Sequence, residues 1–274
     1  MAKSIGKAVI SKPQSAVAVS SVPAHLRGKG GVGLSTDARD NLVPLIYILQ
    51  PLSPQVMKKN PAYIEGAEAG DIWLKGAVDP IVKGDEGINF CPCAFWKTHT
   101  EWKQREEGGG LVRIYENNPA DDTPLGLPDD AEREEGGFNF VRENGNKIIA
   151  NRNYAGLVFD HGKVPLPYVM ILSSTGHTFA RQWMATLNAT LVDPTSGAKL
   201  PIWSRKWNLK TVHKQNNFGE WFMYGEPTAG DWVSEEEADT LERLSAAFVR
   251  GEKRAAMDQA EDEHSSSSGR SNEM

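Results

Sequence analysis

The residues best suited to chemistry form a basic, tryptophan-rich run, Trp203-Ser204-Arg205-Lys206-Trp207-Asn208-Leu209-Lys210-Thr211-Val212-His213-Lys214. Side chains alternate across a strand. An extended run would therefore put Trp203, Arg205, Trp207, Leu209 and His213 on one face and Lys206, Lys210 and Lys214 on the other. After Gln215–Gly219, a five-residue loop, Glu220–Tyr224 returns with Trp221, Phe222 and Tyr224, as in a hairpin. Aromatic faces stack on unpaired bases and cations follow the phosphates, which is what sequence-tolerant binding of a single strand requires. A second patch has the same character: Phe95, Trp96, Lys97, His99, Trp102, Lys103 and Arg105. Arg181, two positions before Trp183, adds a cation. The candidate contacts are Trp203, Arg205, Trp207, Trp96 and Trp102, with Lys206, Lys210, Lys214, Lys97, Lys103 and Arg181 for the backbone. Since one strand cannot turn both faces to one ligand, these residues cannot all serve together. The competing reading makes the tryptophans core and the lysines a solvated face.

Other motifs are weaker. Lys29-Gly30-Gly31-Val32-Gly33-Leu34-Ser35-Thr36 resembles the phosphate loop of partitioning-type ATPases, but Leu34 replaces the lysine that neutralises phosphate, and no buried strand leads into it. Cys91-Pro92-Cys93 offers one cysteine pair and no second pair at zinc-ligand spacing, so both thiols are expected in the core. No Gly-x-Ser-x-Gly elbow and no His-Glu-x-x-His string occurs, and the acids cluster in loops and tail. Binding without a cofactor, metal or catalytic centre is the expectation.

The net charge of −6 on 274 residues argues against a nucleic-acid binder until its distribution is seen. Ser234–Met274 holds 11 acids and 5 bases, which accounts for all six negative charges. Glu106–Glu135 holds 10 acids against Arg113 and Arg133, whereas Gly136–Val233 has 10 lysines and arginines against 6 acids. An acidic tail and an acidic loop thus mask basic segments. The absence of a long apolar run or a secretory leader, with only two adjacent cysteines, points to a cytoplasmic protein and no membrane contact.

The elements needed to position these residues are mostly strands. Residues 1–40 read as a disordered, basic and glycine-rich arm, and 257–274 as a disordered acidic, serine-rich tail. Between them, 41–256 reads as one β-rich domain with an exposed acidic loop over 106–137. Leu42–Leu49 and Leu166–Leu172 (LPYVMIL) are continuous apolar runs suited to buried strands. Phe179, Trp183 and Leu187 mark the buried stripe of a helix over 176–191, which Ser174 or Thr175 could cap. Ser234 with Glu237 is a capping-box pattern opening a terminal helix lined by Leu241, Leu244 and Phe248.

In this layout the chain resembles phage-encoded single-stranded DNA-binding proteins with an OB-type core and an acidic tail. The segments carrying the resemblance are Pro44–Pro54 (PLIYILQPLSP), Pro167–Trp183 (PYVMILSSTGHTFARQW) and Pro201–Tyr224. The resemblance implies an α+β fold, mainly antiparallel β with an OB-like barrel core. It implies coating of single-stranded DNA in replication and recombination, possible homodimers, and contact with polymerase or helicase through 257–274. The tail ends Asn272-Glu273-Met274, without the terminal aromatic many such proteins carry. The alternatives are a phage structural or assembly protein and an enzyme with an unrecognised site.

Overall fold

The computed structural model describes residues 42–256, apart from positions 160, 163 and 218. They lie within one compact unit, Asp37–Met274. The expectations for the arm 1–40, the Lys29–Thr36 string and the tail 257–274 fall outside the described residues.

The first half of the chain forms β1 (Leu42–Val43), β2 (Leu45–Ile48), β3 (Ile72–Leu74), β4 (Ile81–Val82), β5 (Ile88–Trp102), β6 (Leu111–Glu116), β7 (Ala131–Arg133) and β8 (Phe140–Arg142). There follow β9 (Lys147–Phe159), β10 (Leu166–Ser173), helix α1 (Gly176–Thr190), β11 (Arg205–Leu209), β12 (Thr211–Asn216), β13 (Gly219–Tyr224), β14 (Thr228–Trp232), helix α2 (Glu235–Val249) and β15 (Arg254–Ala255). The main sheet runs β14-β11-β5-β9-β10-β2-β3-β4, with β6 added to β5 and the β8–β7 pair added to β9. All pairs in it are antiparallel except β10–β2.

β5 and β9 pair from Asn89↔Phe159 to Trp102↔Lys147 and form the spine. Their outer halves meet different neighbours: β11 joins Ile88–Phe90, while β6 joins Thr98–Trp102. The spine therefore carries a central sheet at one end and a smaller lobe of β6, β7 and β8 at the other.

The central strands are covered on both faces, which explains why LPYVMIL does not alternate. On one face Phe90, Tyr154, Tyr168 and Met170 meet Phe179, Trp183 and Leu187 of α1. On the other, Cys91, Cys93, Leu157 and Val169 meet Leu241 and Leu244 of α2. Both thiols are core, as expected; burial pushes them up, Cys93 to about 12. Among the described residues no three His, Cys, Asp or Glu side chains gather as metal ligands, and no helix is long and apolar enough to cross a membrane.

The α+β class and both helices are as expected. α2 opens with the Ser234–Glu237 capping box, whereas α1 starts at Thr175 with no side-chain cap. Three expectations are corrected. The sheet curls into a half-barrel that stays open between β14 and β4, so the OB-type closure is not seen. The 106–137 segment is not one long loop: β6 and β7 lie within it, because Tyr115 is needed in the lobe core at 2 % exposure. The 203–214 run is not one strand. β11 and β12 belong to different sheets and part at Lys210, whose carbonyl accepts from Gly225 N (2.9 Å), while Thr211 N donates to Gly84 O (2.9 Å). In the β12–β13 hairpin Asn216 pairs with Gly219, so the strands run into the expected five-residue loop.

A buried carboxylate holds the lobe together. Glu101, 1 % exposed, accepts from Tyr115 Oη (2.5 Å), Asn146 Nδ2 (2.7 Å) and Arg142 Nη1 (3.0 Å). Burial alone would raise its pKa, but these hydrogen bonds and the Arg142 charge outweigh burial and hold it below the usual glutamate value. A depressed carboxylate adds stability above its unfolded pKa of about 4.3 and loses it as pH falls through the folded value. Glu101→Gln should therefore cost about 2–3 kcal/mol at neutral pH, the scale of a hydrogen-bonded buried charge. Thermal melts followed by circular dichroism should show wild-type stability falling below about pH 4 and a shallower fall in the variant.

Candidate nucleic-acid interface

The sequence-predicted contacts are scattered by the fold. Trp207 is 1 % exposed in the α1-side core and offers no ring face to a base. Trp96 stacks on Phe248 of α2 with centroids 5.4 Å apart, and Trp203, in a short 3-10 turn, is half-buried against the same core. Arg205 donates through Nε to Gly230 O (2.8 Å) and lies over the Trp232 ring at 5.0 Å. Lys206 is bound to Glu237 (2.7 Å) and sits over Phe159. Trp102 is half-buried and donates to Thr100 Oγ1 (2.9 Å). Lys103, Lys210, Lys214 and Arg181 are exposed. The alternation expected to align Trp203, Arg205 and Trp207 is broken by a register shift between Arg205 and Trp207.

Lys97 is the exception, because it enters a cavity. Lys97 and Arg152 face each other across the spine, as do His99 and Ala150 two pairs further along. These side chains extend the α1-facing surface of the sheet past the helix into the lobe, where they line a cavity of about 110 Å³ with Arg133, Phe138 and His177. One water-sized group needs about 10–15 Å³, so the space admits a phosphate with room to spare.

The cavity is electropositive but partly neutralised. Lys97, Arg133 and Arg152 are set against Asp121 and Asp122. His177 donates through Nε2 to Ala150 O (2.8 Å), since a carbonyl can only accept. Burial holds its pKa down against the Ala150 hydrogen bond, and the positive charges of Arg152 and Arg181 push the same way as burial. Both ring nitrogens of His99 face oxygen atoms, Asn117 Oδ1 (2.8 Å) and Phe138 O (3.0 Å), and a neutral ring could donate to only one. Arg152 Nε is shielded from solvent and has no hydrogen-bond partner among the described residues. A buried guanidinium donor without an acceptor is costly; Nε itself is closed to solvent, but the Arg152 side chain borders the cavity. Phe138, also in the lining, is 45 % exposed, with its ring tilted against His177 at 6.0 Å between centroids.

Asp122 stands beside Lys97 in the cavity wall. Its carboxylate is 2.5 Å from Lys97 Nζ, and its backbone is held at φ 65° while Asn117 Nδ2 donates to its carbonyl (3.0 Å). Asparagine tolerates this left-handed conformation, so Asp122→Asn would remove charge without reshaping the turn. Oligonucleotide affinity measured by anisotropy should rise up to about fivefold, the worth of a partly exposed ion pair.

Of this group, sequence reasoning singled out Lys97 and His99, and missed Arg133, Phe138, Arg152 and His177 as partners. Asn151-Arg152-Asn153 was visible as a polar interruption in an apolar strand. Its pairing with Lys97 depends on a register set across 55 residues of sequence.

Residues 12–254 match the profile of one phage family, described as Pam3 phage gp34-like protein, and the chain belongs to that family. No curated protein and no solved structure matches it.

Proposed function

We propose that this phage protein binds single-stranded DNA without sequence preference, in replication or recombination, and that the lobe cavity holds its backbone. The observation that carries the reading is the convergence of Lys97, Arg133 and Arg152 on one cavity. The exposed Phe138 ring supports an unstacked base rather than a duplex, where base faces are already occupied. Binding rather than catalysis is proposed, in the host cytoplasm, with polymerase or helicase contact through 257–274 and self-association as a dimer.

The test is an anisotropy titration of labelled oligo(dT) in rising salt. Binding should weaken with a log–log slope of about −0.7 for each phosphate neutralised, hence near −2 for three cations. Absence of binding at low salt, with a variant lacking 257–274 also silent, would reject the reading. One feature favours the assembly alternative: the sheet is open at β14, where Trp232 is 52 % exposed. Ordered polymers in electron micrographs without DNA would support that alternative.

A further inference from the structure

A second cleft lies on the other side of the first turn of α1. β10 pairs with β2 only at Val169↔Leu45 and Met170↔Ile46, although β10 continues to Ser173 and β2 to Ile48. The two strands separate beyond this point and leave a cleft of about 210 Å³. Ile48, Met170, Leu172 and Phe179 form its apolar walls. Phe222 and Met223 of the β12–β13 hairpin form its lip. That lip is fixed, because Gln50 bonds both backbone groups of Phe222: Nε2 to the carbonyl and Oε1 from the amide, each 2.9 Å.

The cleft is apolar but not wholly so. Tyr224, 4 % exposed, lines it, and its Oη is buried without a hydrogen-bond partner among the described residues. Thr175, also in the lining, makes no capping bond to the α1 amides, and His177 N is met by Ser174 O (3.1 Å) instead. A slot with apolar and aromatic walls and a few convergent polar groups suits a planar heteroaromatic ring. Its position ties it to the basic cavity: His177 lines that cavity, while Thr175, Gly176 and Phe179 line the cleft. A chain leaving one crosses a single helical turn to reach the other, with exposed His213 and Lys214 on the hairpin beyond.

We infer that this cleft receives one unpaired nucleobase of the strand whose backbone lies in the basic cavity. The inference rests on the proposed function, and it assigns a role to the hairpin different from the one its tryptophans suggested.

Photocrosslinking of the full chain to oligo(dT) carrying 5-bromodeoxyuridine, followed by peptide mass spectrometry, tests it. Adducts on Phe222, Met223 or Tyr224 are expected beside adducts at Phe138. Met223→Trp, which fills the cleft, should weaken oligonucleotide binding at least about fivefold, the worth of one stacked base, and remove the hairpin adducts. Adducts at Phe138 alone, from a protein that binds the oligonucleotide, would overturn the inference and leave the proposed function standing. No binding at low salt would overturn both. Should the variant fail to fold, the wild-type adduct map decides.

Discussion

Gly156→Ala is expected to destabilise the fold by at least about 3 kcal/mol, and to leave little soluble protein at 37 °C, because overpacking a rigid core has no cheap relief. A Cβ there would stand 2.1 Å from Cys91 O and 2.7 Å from Phe90 Cζ. Neither neighbour can move away. Cys91 O belongs to the β5 backbone beside the bulge, where Pro92 faces Gly156 and the register slips between Pro92 and Ala94. Phe90 is fully buried and contacts the Trp183 ring, with centroids 6.2 Å apart. The bulge re-aims β5, so that Cys91, Cys93 and Ala94 all meet the α2-side core while Phe95 returns to the α1 side. Gly197 gives the contrast: φ is 70° and nothing lies near its Cβ position, so Gly197→Ala should cost only about 1–2 kcal/mol of backbone strain. Urea unfolding of both variants separates steric exclusion from torsional strain.

The same bulge shows why part of the fold was legible and part was not. α1 and α2 were readable because a helix writes its buried stripe and its cap within one turn or two. Phe179, Trp183 and Leu187 recur every four residues, and Ser234 and Glu237 are three apart. Buried strands were readable as apolar runs. The hairpin was half-readable. Basic and aromatic types were correctly seen at 203–224, but continuous alternation was assumed through Lys210, where the chain leaves one sheet for another. Trp207 then falls into the core, and Lys206 is claimed by Glu237 of α2. The acidic 106–137 segment misled through composition. Its charges are solvated, yet Ile114 and Tyr115 pair with β5 across a ladder that composition does not reveal. The cavity was illegible for the same reason, since its members come from β5, β9, the lobe turns and α1 and meet only through long-range register.

Arg152→Ala is expected to weaken oligo(dT) binding about tenfold or more, since a charge-assisted hydrogen bond contributes about 1.5–3 kcal/mol. Loss of affinity should come with a smaller salt slope, by about 0.7 for one phosphate contact. The residue is half-buried beside Tyr154 in sequence alternation and faces Lys97 and Leu172 on the flanking strands. Its Nε forms no bond within the described protein, so the fold loses only packing of the side-chain stem, and the melting temperature should change little. A residue whose sole role was structural would show the reverse pattern, a lowered melt and unchanged affinity.

The most direct measurement is therefore oligo(dT) anisotropy at low salt for the wild-type and Arg152→Ala proteins side by side, with Lys214→Ala as the hairpin control. The cavity-centred account predicts salt-sensitive binding by the wild type, a drop of about tenfold for Arg152→Ala, and a loss of no more than about fivefold for Lys214→Ala, an exposed charge. Equal affinity of wild type and Arg152→Ala, or no binding by either, would contradict it.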